Sequence, residues 1–86
     1  MPRALSIKRS IVPLSERTKY LERLKARKDY YKRVTCEFWV FEEAALTGAF
    51  IEFVEADDAD TLEAAHIAAP EPVLDPARIY TEVELG

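Results

Sequence analysis

The spacing of apolar residues divides the chain into six segments. Leu5 to Leu14, LSIKRSIVPL, is rich in β-branched residues, and Leu5, Ile7 and Ile11 share a parity interrupted by Arg9. That alternation predicts a strand near 5–13, which Pro13 ends or confines to an edge. From Ser15 to about Arg33 the spacing becomes helical. Tyr20, Leu21, Leu24, Tyr31 and Val34 fall on one stripe, no Gly or Pro intervenes, and a helix is expected over about 15–34. Ser15 is the expected N-cap, with Glu16 at the positive end of the helix dipole and Lys32 and Arg33 at the negative end. Glu16–Lys19, Glu22–Lys25 and Asp29–Arg33 have the spacing for ion pairs along the helix.

Cys36–Glu43, CEFWVFEE, and Ala49–Ala56, AFIEFVEA, are aromatic and β-branched. They predict strands at 36–43 and 49–56, joined as an antiparallel hairpin through Ala44–Gly48, with Gly48 placed for a positive φ. Phe38, Trp39, Val40 and Phe41 are apolar at both parities, so this strand is expected to be covered on both faces. A second helix is expected over 58–69. It starts at Asp57 or Asp58 and places Leu62, Ala65, His66 and Ala69 on one face. Pro70 stops it, and Pro72 with Asp75-Pro76 makes a stiff linker. The last segment, RIYTEVEL, alternates and predicts a strand at 78–85.

The order β-α-β-β-α-β is the ferredoxin-like plan, an α+β fold in which a four-stranded antiparallel sheet carries two helices on one face. One helical layer covers one sheet face only. The aromatic second strand therefore implies a partner on the other, and a homodimer is expected. The short chain points the same way. It has 86 residues, one domain spanning 1–86, and its single cysteine permits no internal disulfide staple.

Charge and composition narrow the function. Residues 1–35 hold 11 Lys/Arg against 3 Asp/Glu, whereas residues 36–86 hold 1 against 13. Basic and acidic elements are expected to face each other, with the basic helix beside the acidic second helix or an acidic partner surface. The net charge of −4 opposes phosphate backbones, so no nucleic-acid partner is expected. No apolar run approaches the roughly 20 residues of a membrane span, and Met1–Leu5 has no signal-peptide core; no membrane partner and a cytoplasmic location are expected. Two glycines, Gly48 and Gly86, are too few for a P-loop or dinucleotide fingerprint. One His and one Cys do not make a zinc site, so neither metal nor cofactor is expected.

The second strand CEFWVFEE, the segment FIEFVEADDADTLEAAH and the closing strand IYTEVEL resemble the dimeric α+β barrel superfamily over essentially the whole chain. That superfamily includes antibiotic-biosynthesis monooxygenases and related haem-degrading monooxygenases. The resemblance implies two sheets packed face to face and a pocket between helices and sheet. It also implies oxidation or rearrangement of an apolar, aromatic small molecule. Haem-degrading members carry an iron-binding His on the helix corresponding to that of His66. Oxygenase members tend to use an Asn near the first strand, and this chain contains no Asn.

His66, the only histidine, follows Leu62 by one turn and points toward the helix–sheet cleft, where a neutral imidazole suits proton transfer. Its alternative role is a core-edge histidine satisfied by a carbonyl or carboxylate. Trp39, with Phe38 and Phe41, would line an aromatic pocket or simply pack the sheet. Tyr20 and Tyr31 project hydroxyls from the helical stripe, while Tyr30 and Tyr80 are amphipathic elsewhere. Glu52 shares the parity of Phe50 and Val54; it is a pocket acid, a partner of Arg9 or Arg78, or solvent-exposed. Cys36 fits a small buried hydrophobe better than a nucleophile. Two function classes follow. One is a small-molecule pocket built on His66 as catalytic residue, with Tyr20, Trp39 and Glu52 binding the ligand and monooxygenase-like or isomerase-like chemistry. The other is a non-enzymatic homodimeric binding or interaction protein.

Overall fold

The computed structural model describes residues 2–70 and 78–86. Strand β1 covers Ala4–Ile11, a 3-10 turn covers Leu14–Glu16, and helix α1 covers Arg17–Arg33. Strands β2 (Glu37–Glu42) and β3 (Ala49–Ala56) precede helix α2 (Ala59–Ile67) and strand β4 (Ile79–Thr81). The four strands form one antiparallel sheet in the order β2-β3-β1-β4. This is a small α+β fold compatible with the ferredoxin-like plan. The predicted linker around Pro72 and Asp75-Pro76 lies outside the described residues.

Alternation along β3 decides the layers. Phe50, Glu52, Val54 and Ala56 are buried, while Ile51, Phe53 and Glu55 between them are only half-buried. The buried parity faces the helices. Tyr20 and Leu24 of α1 pack with Phe50, and Leu62 and Ala65 of α2 join Tyr31, Val54, Ala56 and Ala4. Both helices thus lie on one face of the sheet. On the opposite face Trp39 and Phe41 are 41% and 57% exposed, beside Leu5, Ile7, Ile51 and Phe53 of the same parity. Among the described residues only one face of β2 is covered, because both helices pack against Phe38 and Val40 and their neighbours.

Three local expectations are corrected. Ser15 does not cap α1. It lies inside the 3-10 turn, where the Glu16 N–H donates to Pro13 C=O at 2.9 Å, and Glu16 takes the cap position with no side-chain hydrogen bond. Proline sets that entry, since its fixed φ turns the chain before the helix begins. None of the three predicted ion pairs along α1 forms. Instead Arg17 and Arg27 reach across to Glu42 and Glu52 on the sheet, so the basic helix pairs with strand carboxylates and not with α2. Finally, β4 stops at Thr81, and Glu82–Gly86 run on exposed beyond the ladder.

The remaining turns follow their residues. Gly48 adopts φ 93°, and an added Cβ would sit 2.5 Å from the Val12 carbonyl oxygen, so only glycine fits there. Asp58 caps α2 by accepting from the Thr61 N–H at 2.7 Å, which holds its carboxyl below the usual range. At the C-terminus of α1, Thr35 takes a left-handed φ of 62° and the Cys36 N–H donates to Tyr31 C=O at 2.8 Å. That six-residue closure is normally built on glycine.

Candidate functional site

The site forms where α1 and α2 meet above β1 and β3. Tyr30 and Tyr31 are consecutive on α1 and rise toward α2. The Tyr30 hydroxyl donates to the Ala65 carbonyl at 2.6 Å, which ties the two helices together. Tyr31 stacks on Phe38 of β2 with ring centroids 5.7 Å apart and meets the His66 ring edge-on at 5.6 Å.

His66 is held at both nitrogens. Its Nε2 lies 2.8 Å from the Ser6 Oγ of β1, and its Nδ1 lies 2.9 Å from the Tyr31 hydroxyl. Burial pushes the imidazole below its ordinary value and the Tyr31 phenol up to about 12. A neutral imidazole offers one donor and one acceptor, and each hydroxyl can play either part. The trio Ser6–His66–Tyr31 therefore supports both tautomers of the neutral ring.

Glu52 projects from β3 into the same space and is only 4% exposed. Arg27 Nη1 donates to its Oε1 at 2.6 Å and the Tyr20 hydroxyl donates to its Oε2 at 3.0 Å. Arg9 and Arg78, the cations expected to pair with it, do not. Arg9 has the opposite parity on β1, while Arg27 reaches down from the helix above. Burial, with the Glu52 charge as second cause, raises the Tyr20 phenol to about 12. The Tyr20 and Tyr31 phenols are thus both neutral at physiological pH, and Tyr20 donates to Glu52.

Between these two clusters lies a cavity of about 120 Å³. Ser6, Tyr31, Glu52 and His66 contribute its polar wall, and Ala26, Phe38, Val54 and Ala69 its apolar wall. Lys8, Arg23 and Arg27 add cationic groups to the lining. Tyr20 is not part of the wall but anchors Glu52 from behind. Trp39 stands on the bare sheet face, away from the cavity, because its parity on β2 is opposite to that of Phe38. Of the four residues singled out from the sequence, the structure brings His66 and Glu52 to one cavity, adds Tyr20 indirectly, and separates Trp39.

Sequence reasoning missed Ser6 as the partner of His66. Its only signal was parity, since a serine on the buried side of a strand needs a hydrogen-bond partner across the layer. Cys36 is buried, its thiol pushed up by that burial, and it takes no part in the site. Among the described residues no three His, Cys, Asp or Glu side chains gather closely enough to hold a metal ion, and no helix is long and apolar enough to cross a membrane. No family model matches the chain, and searches of curated proteins and of solved structures give no significant match.

Proposed function

We propose that this chain is a ferredoxin-like subunit that binds a small apolar or aromatic molecule between its helices and sheet, where His66 exchanges a proton with it. The carrying observation is the placement of His66: neutral, held by Ser6 and Tyr31, and exposed to a cavity of about 120 Å³. That volume is close to that of an engineered cavity of roughly 150 Å³ that takes up benzene, so a single ring suits it. A base that is neutral at pH 7 suits isomerase-like or oxygenase-like proton abstraction once the ligand frees one ring nitrogen from Ser6 or Tyr31. The strand order supports the fold part of the proposal, because read from the other edge it is β4-β1-β3-β2, the ferredoxin-like arrangement.

The subunit pairs with a second copy through the bare sheet face. Its strands of eight, six, eight and three residues, rising about 3.3 Å per residue and lying about 4.8 Å apart, give that face on the order of 400 Å². Two such faces bury on the order of 800 Å², a small interface that depends on the apolar side chains at its centre. Leu5, Ile7, Trp39, Phe41, Ile51 and Phe53 supply an apolar centre.

The pocket is tested by thermal shift and imidazole NMR with monocyclic aromatic compounds. A binder raises the melting temperature and moves the resonances of His66, the only histidine, and Ala26→Trp, which fills the cavity, abolishes both effects. A panel that leaves those resonances fixed, or an A26W protein that binds equally well, defeats the proposal. Sedimentation gives the second arm: the wild type is a dimer at micromolar concentration and Phe41→Glu is a monomer, whereas a monomeric wild type refutes the pairing.

A further inference from the structure

The charges around the cavity identify the ligand more closely. Four charged side chains line it: Lys8, Arg23, Arg27 and Glu52. Three are cations and one is an anion, a formal excess of two positive charges in a chain whose net charge is −4. Glu52 is already engaged by Arg27 and Tyr20. Lys8 and Arg23 form no ion pair with any described residue. Lys8 stands directly opposite Glu52 in the β1–β3 register, on the helix-facing side, so its charge is tied to the floor of the cavity. Arg23 lies one helical turn before Arg27 on α1, on the same side of the cavity.

Arg3 binds both Glu55 and Glu82, and Arg17 binds Glu42 through two nitrogens, whereas the other described Lys and Arg side chains outside the cavity form no ion pair with any described residue. Lys8 and Arg23 differ from those in lining a cavity. Uncompensated cations beside an apolar, partly enclosed wall attract an anion more strongly than the same cations on an open surface, because a low-dielectric surround screens the interaction less. An anion of high hydration would gain nothing from Phe38, Val54 and Ala26. A carboxylate carried on a ring satisfies both parts, with the ring against the apolar wall and the planar carboxylate facing the guanidinium fork of Arg23 and the ammonium of Lys8.

Resting on the pocket proposed above, we infer that its ligand is a monocyclic aromatic carboxylate, recognised by Lys8 and Arg23. The ring sits beside His66, and the carboxylate lies at the basic end of the lining.

Benzoate, benzamide and acetate separate the contributions, with binding read by titration calorimetry and by the His66 imidazole resonances. Benzoate binds about tenfold or more tightly than either of the others. The Lys8→Gln/Arg23→Gln double variant loses about tenfold for benzoate and leaves benzamide unchanged. Equal binding of benzoate and benzamide overturns the anion inference and leaves the pocket standing. Equal binding of acetate and benzoate overturns the role of the ring. If none of the three binds or moves the His66 resonances, the pocket itself fails. Neither substituted side chain belongs to the buried core, and a melting temperature within a few degrees of wild type verifies that the double variant is folded.

Discussion

Replacing Arg27 with Met tests whether the buried carboxylate of Glu52 depends on the guanidinium above it. The two groups meet at 2.6 Å, with Glu52 4% and Arg27 24% exposed at the side chain. Removing one member of a fully buried pair costs about 3–5 kcal/mol, because the other is stranded. Arg27 is a quarter exposed and a cavity adjoins the pair, so solvent screening reduces the expected cost to about 2 kcal/mol. For a domain of this size that is a fall of about 8–16 °C in melting temperature. Adding Glu52→Leu removes the stranded charge. The double variant then recovers to within about 1 kcal/mol of wild type, since apolar replacement of a whole buried pair is often neutral. Urea and thermal denaturation of the four proteins of this cycle, at one fixed protein concentration because association shifts stability, supply the numbers. A single variant within about 0.5 kcal/mol of wild type, or a double variant no better than R27M, refutes the reasoning.

Two further outcomes follow from the same geometry. Burial holds the His66 imidazole below its ordinary value of 6.5, so the unfolded chain binds its proton first as pH falls. The stability contributed by the neutral ring is complete above about 6.5 and is lost as pH drops through the folded value, with a slope of at most about 1.4 kcal/mol per pH unit. Melting curves between pH 7.5 and 5 show this decline in the wild type and a flatter profile in His66→Gln; identical slopes exclude it. Thr35 holds a left-handed φ of 62° at the end of α1. Thr35→Gly relieves about 1–2 kcal/mol of backbone cost and gives back part of it as unfolded-state entropy, for a net gain of about 0.5–1 kcal/mol. An unchanged or lower urea midpoint would show that the Schellman closure carries no strain.

Periodicity along the chain determined the number, type and order of the elements. The bounds of β3, Gly48 as the turn residue, Asp58 as a cap and the inward tilt of His66 all follow from rules acting within a few residues, and all appear in the structure, while β2 is one residue shorter at each end than expected. Local signals were weaker where a neighbour had to be known. Ser15 is a good cap by composition, yet Pro13 redirects the chain before the cap can form. Alternation in RIYTEVEL continues to Leu85, but a strand exists only where another strand pairs with it, and the ladder to β1 ends at Thr81. Trp39 and Phe38 are adjacent and equally apolar; parity against the helices sends one to solvent and the other to the cavity wall. The partners of Glu52 and His66 were beyond any one-dimensional pattern. Arg27 lies 25 residues from Glu52, and Ser6 lies 60 from His66. Their meeting depends on how the helices settle on the sheet, because hydrogen bonds act over about 3 Å and constrain no spacing along the chain.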